Sequence, residues 1–148
     1  MFEMIDILEM GRGEILGLTA YEITRPLNEK EFLHIARSLD ALWEYNGCFS
    51  APHAELRSGR HTNVFLNSGV LLEPEGIKQI MARQIAMRFQ MRACSVPNFV
   101  AGVPNGATLL ASEVADILGV RHAKMEKVSG RIVLRTEIPD GATVIIIE

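Results

Sequence analysis

The run Thr143-Val144-Ile145-Ile146-Ile147, set off by Asp140-Gly141, constrains this chain more than any other stretch. Five consecutive β-branched residues without polar alternation suit a strand covered on both faces, as in a parallel sheet. Ligands of such sheets bind just beyond the carboxyl ends of the strands. Glu148 therefore stands where a site begins, and the natural chain is expected to continue past it.

Composition narrows the class. The 148 residues fit one domain, and 48% apolar with 22% charged residues is ordinary for a globular protein. A net charge of −3 gives no overall drive toward nucleic acid or an anionic membrane, so neither is an expected partner. Glu3, Asp6 and Glu9 spoil any signal peptide, and no apolar run approaches the ~20 residues that span a bilayer. The expected setting is the cytoplasm. Cys48 and Cys94 form no CxxC and are predicted to be small buried or half-buried thiols in a reducing compartment. His34, His53, His61 and His122 have no metal-ligand spacing, so no zinc site is expected.

Periodicity then places the elements. Met1 to Leu18 mixes apolar and acidic residues and suits a short helix, a candidate surface for a partner. Asn28 followed by Glu31 is a capping-box start, and Phe32, Ile35, Ala36, Leu39, Leu42 and Trp43 recur at helical spacing. They predict a helix over 29–45, with Gly47 ending the segment. Residues 55–57 and 64–66 read as two strands joined by the turn Ser58-Gly59-Arg60-His61-Thr62-Asn63. A second amphipathic helix is predicted over 74–91. Phe99 to Val103 reads as a buried strand, Pro104-Asn105-Gly106 as a turn, and Ala107 to Leu118 as a helix stopped by Gly119. A strand near 122–126 and a hairpin-like stretch around Ile132-Val133-Leu134 follow. Alternating strands and helices imply an α/β fold with a mostly parallel sheet flanked by helices. Residues 1–50 are expected to form a small N-terminal helical hood and 51–148 the α/β core.

Three polar clusters recur at the predicted strand ends. In Val103-Pro104-Asn105-Gly106-Ala107-Thr108, Gly106 lets a ligand approach the backbone, and the helix start offers unpaired N–H groups to an anion. In Lys124-Met125-Glu126-Lys127, the two lysines share no face of a continuous strand; a strand ending between them puts Lys127 on a mobile loop instead. Arg57-Ser58-Gly59-Arg60-His61 concentrates cations in a glycine-containing turn, and arginine matches carboxylate and phosphate with paired donors. Each cluster taken alone also fits a solvated turn.

Taken in order, these clusters resemble the orotate phosphoribosyltransferases, a branch of the type I phosphoribosyltransferases. The resemblance rests on Leu56-Arg57-Ser58-Gly59-Arg60, Phe65-Leu66-Asn67-Ser68-Gly69, Ala101-Gly102-Val103-Pro104-Asn105-Gly106-Ala107, Lys124-Met125-Glu126-Lys127 and Val144-Ile145-Ile146-Ile147-Glu148. It implies transfer of ribose 5-phosphate from phosphoribosyl pyrophosphate (PRPP) to orotate, with Mg²⁺, by a homodimer. By motif, Arg57 takes the place of a lysine beside the reacting groups, and Phe65 that of an aromatic stacked on orotate. Val103, Pro104, Asn105, Gly106 and Ala107 match the pyrophosphate loop. Lys124 and Lys127 match cations around the pyrophosphate, Lys127 being the mobile-loop lysine that reaches a partner subunit. Glu148 matches the first of two acids on the ribose hydroxyls. Arg57, Asn105 and Lys124 are accordingly expected around one hollow.

The departures from the family pattern have chemical weight. Ala123-Lys124-Met125 lacks one of the family's cations, Ser129 replaces a loop histidine, and Leu66 stands where a second aromatic is usual. The second acid and the Thr-x-Gly loop that cradles the 5-phosphate are absent from the 148 residues, which predicts an inactive polypeptide. Two alternatives stay open: a regulator of the same fold that binds a nucleobase or PRPP without turnover, and a structural remnant that oligomerises through its apolar N-terminus.

Overall fold

A computed structural model describes residues 5–93 and 95–148 of the chain. A short 3₁₀ turn, Ile7–Glu9, leads into helix α1 (Arg12–Gly17). Of the apolar residues of this segment, Ile7, Ile15 and Leu18 are buried in the chain's own core with Ile35, Ile77 and Ile80, while Leu8 and Leu16 stay exposed.

Helix α2 (Glu29–Ser38) starts at the predicted capping box, with Asn28 accepting from the Glu31 N–H. It ends seven residues before the predicted stop. Asp40 takes φ 56°, Ala41 N–H donates to the Ala36 carbonyl, and Asp40 N–H donates to the Arg37 carbonyl. This is a Schellman closure with aspartate where glycine is usual. Strand β1 (Leu42–Glu44) follows, so Leu42 and Trp43 belong to a strand despite their helical spacing from Leu39.

The predicted pairing of 55–57 with 64–66 is also corrected. Strand β2 (Ala54–Glu55) pairs with β3 (His61–Thr62), whereas β4 (Val64–Leu66) pairs antiparallel with β1, Trp43 opposite Phe65. Helix α3 (Ser68–Leu71) is capped by Asn67, whose own N–H donates to the Ala41 carbonyl. Helix α4 (Glu75–Arg92) spans nearly the predicted range. On it, Gln84 accepts the Leu27 N–H and donates to the Arg25 carbonyl, and Arg88 donates to the Leu27 carbonyl. These bonds tie the stretch before α2 to the core.

Strand β5 (Phe99–Gly102) is the middle of a three-stranded parallel sheet, between β6 (Arg121–Ala123) and β9 (Val144–Ile147). Helix α5 (Thr108–Leu118) connects β5 to β6 and ends, as expected, on Gly119 in the left-handed conformation. One face of the sheet, with Val100 and Ile147, packs against α4 and α5 through Ala82, Ala111, Val114 and Ala115. The other face, Phe99, Ala101 and Ala123, is covered by Met125, Ile138 and Ala142.

The last strand is less enclosed than its composition predicts. Ile145 and Ile147 lie on the helix-covered face, but Ile146 is 62% exposed on the other. Strand β7 (Met125–Val128) and strand β8 (Arg131–Leu134) form an antiparallel hairpin. Its turn is Ser129-Gly130, both with positive φ, as two-residue hairpins of the I′ kind require. Lys127, opposite Ile132, therefore sits in a strand and not on a loop. No helix among the described residues is long and apolar enough to cross a membrane.

Candidate functional site

The hollow at the carboxyl ends of β5 and β9 follows from how tightly the chain folds back after Gly102. A Cβ on Gly102 would lie 2.4 Å from the Ala107 carbonyl oxygen and 2.8 Å from the Ala111 Cβ. Glycine is therefore what lets residues 103–107 turn directly over the strand end. Val103 N–H continues the sheet by donating to the Ile147 carbonyl at 2.8 Å, and Ala107 N–H closes the turn onto the Val103 carbonyl. The Pro104–Asn105 peptide is cis. Helix α5 starts at Ala107 without a side-chain cap, so its first N–H groups keep capacity for a ligand. A Cβ on Gly106 would meet nothing within 4 Å, so this glycine borders open space.

Val103, Pro104, Gly106 and Ala107 line a hollow of about 230 Å³ with Glu148, Ser68, Leu72 and Leu110. The last four also line a larger, mainly apolar cavity of about 750 Å³, walled by α2, α3 and α4. The smaller hollow thus has one carboxylate and no cationic side chain on its wall.

The structure joins Val103, Pro104, Gly106 and Ala107 to Glu148 and separates them from the other predicted site residues. Arg57 lies in the exposed tip of the β2–β3 hairpin, closed by the Leu56 N–H to Arg60 carbonyl bond. Lys124 sits between β6 and β7; its N–H donates to the Thr136 hydroxyl, and its Nζ lies 3.2 Å from Glu126. Arg135 bonds the same carboxylate at 2.9 Å. These two cations, Arg135 foremost, hold the Glu126 carboxyl below its ordinary pKa. None of Arg57, Asn105, Lys124 and Lys127 lines either hollow, so the three residues expected around one hollow do not share one. Phe65 and Leu66 point to opposite faces of their strand. Leu66 lines the larger cavity, while Phe65 shares the far face with Trp43.

Sequence reasoning left Ser68, Leu72 and Leu110 off the site. The available signal was Asn67, whose cap starts α3 and so fixes Ser68 at the hollow's edge. Cys48, expected to be at least half buried, is exposed in the loop between β1 and β2. A hydrogen bond with the Ser50 hydroxyl lowers its thiol pKa. Cys94 lies outside the described residues. Among the described residues no three His, Cys, Asp or Glu side chains are grouped to hold a metal ion.

No protein-family profile matches the chain. Its sequence is 31% identical over 110 residues to the orotate phosphoribosyltransferase of Pelotomaculum thermopropionicum, covering 73% of this chain and 56% of the relative. It is 29% identical over 124 residues to the orotate phosphoribosyltransferase of Heliobacterium modesticaldum, covering 82% and 61%. The chain thus spans little more than half the length of these curated relatives. Its fold is similar to that of Leishmania donovani UMP synthase, with a TM-score of 0.58 and 18% identity over 87% of this chain and 26% of that one. A parallel sheet with a glycine-hinged turn over its central strand, together with these likenesses, defines a phosphoribosyltransferase-type α/β protein. Within that class the chain is a relative of the orotate phosphoribosyltransferases.

Proposed function

We propose that the chain carries the PRPP-binding part of an orotate phosphoribosyltransferase, which moves ribose 5-phosphate from PRPP to orotate and releases pyrophosphate. The observation that carries this reading is the hollow in which the 103–107 turn meets Glu148. Displacement at the sugar develops positive charge on the ring and negative charge on the leaving group. The protein's share is to position the reactants and answer those charges. The uncapped start of α5 and the turn backbone suit the diphosphate, and Glu148 suits hydroxyl groups of the sugar.

Mg²⁺ belongs to this proposal as a companion of PRPP. Among the described residues no acidic side chains are grouped into a cage, so the ion's oxygen ligands would come from the substrate, with Glu148 the carboxylate that lines the hollow. Bound there, it neutralises phosphate charge. Lys127 and Lys124 are proposed to act on the leaving group, Arg57 beside the reacting groups and Phe65 on the base, in a homodimer in the cytoplasm.

One observation favours the second reading, a binder without catalysis in any form of the protein: the cations stand away from the hollow. Two measurements separate the readings. Calorimetric titration of PRPP with Mg²⁺ into this chain is expected to show saturable binding, and absence of heat would refute both. Orotate consumption by a form extended through a second acid and a Thr-x-Gly loop is expected under the enzyme reading. PRPP binding without consumption in that form would leave the regulator.

A further inference from the structure

We propose that the Ser68 hydroxyl is a second sugar-recognising group in the hollow, acting beside Glu148 on the ribose hydroxyls; this rests on the PRPP reading above. Ser68 lies in the first turn of α3, far in sequence from both β5 and β9, yet it lines the hollow with Glu148 and the 103–107 turn. Its carbonyl accepts the Leu72 N–H at 3.0 Å. The position is held from both sides. Asn67 caps the helix, and the Asn67 N–H is anchored on the Ala41 carbonyl at 2.7 Å.

The chemistry of the wall selects the part of the ligand that fits. An ionised carboxylate accepts hydrogen bonds only, and no cation lines the smaller hollow to offset its repulsion of phosphate there. Hydroxyl groups are the complementary donors. A serine hydroxyl both donates and accepts, so it can take the remaining valence of a hydroxyl already donating to Glu148. The rest of the wall is Leu72, Val103, Pro104, Ala107 and Leu110, which suits the C–H faces of a sugar ring. A volume of about 230 Å³ holds roughly eight waters at ~30 Å³ each, room for a sugar ring. The hollow is thus a sugar subsite, with diphosphate and base extending from its rim.

The experiment is calorimetric titration of PRPP with Mg²⁺ into the unsubstituted chain, Ser68→Ala and Ser68→Thr, each checked for unchanged circular dichroism. Ser68→Ala is expected to weaken binding about three- to tenfold, the worth of one neutral hydrogen bond. Ser68→Thr, which keeps the hydroxyl, is expected to stay within about twofold. Equal affinity in Ser68→Ala would overturn the role of Ser68 while leaving the PRPP reading standing. Equal weakening in both variants would also overturn it, because the loss would then be one of shape. No binding by the unsubstituted chain would overturn the underlying reading and this inference with it.

Discussion

Substituting Gly102 and Gly106 one at a time separates the packing of the turn from its use as a site. In Gly102→Ala the new methyl group starts 2.4 Å from the Ala107 oxygen and 2.7 Å from its carbonyl carbon. Those atoms belong to the backbone, so no side chain can swing aside. To reach even 3.0 Å the turn must lift by roughly 0.6 Å from the strand end, and Ala111 on α5 must follow. Overpacking of this kind costs about 1–3 kcal/mol. Val100, Ala111, Val114 and Ala115 are fully buried around the strain, which puts the expected loss toward the upper end. Gly106→Ala meets nothing within 4 Å, and its stability is expected to change by less than about 0.5 kcal/mol. Urea denaturation followed by circular dichroism reads both values. PRPP titration of the same proteins should show a different order, with Gly106→Ala weakening binding because its methyl occupies the ligand's approach. A Gly102→Ala variant as stable as the unsubstituted chain would refute the account of the turn. Unchanged PRPP affinity in Gly106→Ala would refute its use as a contact.

Other expectations follow from the hood and the loops. Glu31 is 4% exposed and accepts from two Arg25 nitrogens and from the Asn28 N–H. Glu31→Gln is therefore expected to lose about 1–3 kcal/mol in the same denaturation assay, and unchanged stability would contradict the pairing. The Arg25 hydrogen bonds hold the Glu31 carboxyl below its ordinary value of 4.5. Its stabilisation is therefore complete above that value and is lost as pH falls through the lower folded-state value. Denaturation midpoints measured from about pH 6 to about pH 3 should show that decline, and Glu31→Gln should flatten it; parallel curves would refute the assignment. At Cys48, alkylation followed by peptide mass spectrometry is expected to run faster at about pH 7.5 than in Ser50→Ala, because the Ser50 hydroxyl favours the thiolate. Equal rates would remove that hydrogen bond from the explanation. Lys127→Ala is expected to leave PRPP affinity within about twofold, since Lys127 does not line the hollow. In the extended form described above, the same substitution should lower turnover strongly; a large loss of affinity in its place would put Lys127 in ground-state binding.

The parallel core was legible because its signals are local. The apolar spacing of α4, the short strand at Phe99, the glycine turn and the Gly119 cap each depend on neighbours within a few residues. What escaped was set by distant partners or by an unusual residue in a usual role. Asp40 ends α2 in a conformation where glycine is the common choice, so Leu42 and Trp43 kept the look of a helix. With β1 hidden in that helix, β4 was left to pair with the hairpin strand beside it in sequence. The exposure of Ile146 depends on what the fold lays over that face, which five β-branched residues do not encode. At the site, the turn and Glu148 were readable from their places at strand ends. Ser68 stood in the Phe65-to-Gly69 motif without a role, because only the fold carries α3 to the mouth of a sheet whose first strand begins at Phe99.

The most direct test is a crystal structure of this chain grown with PRPP and Mg²⁺. The ribose is expected in the hollow between the 103–107 turn and Glu148, with the diphosphate at the start of α5. A sugar found at the Arg57 hairpin tip or along the Lys124–Glu126 surface, with that hollow filled by water, would contradict the account.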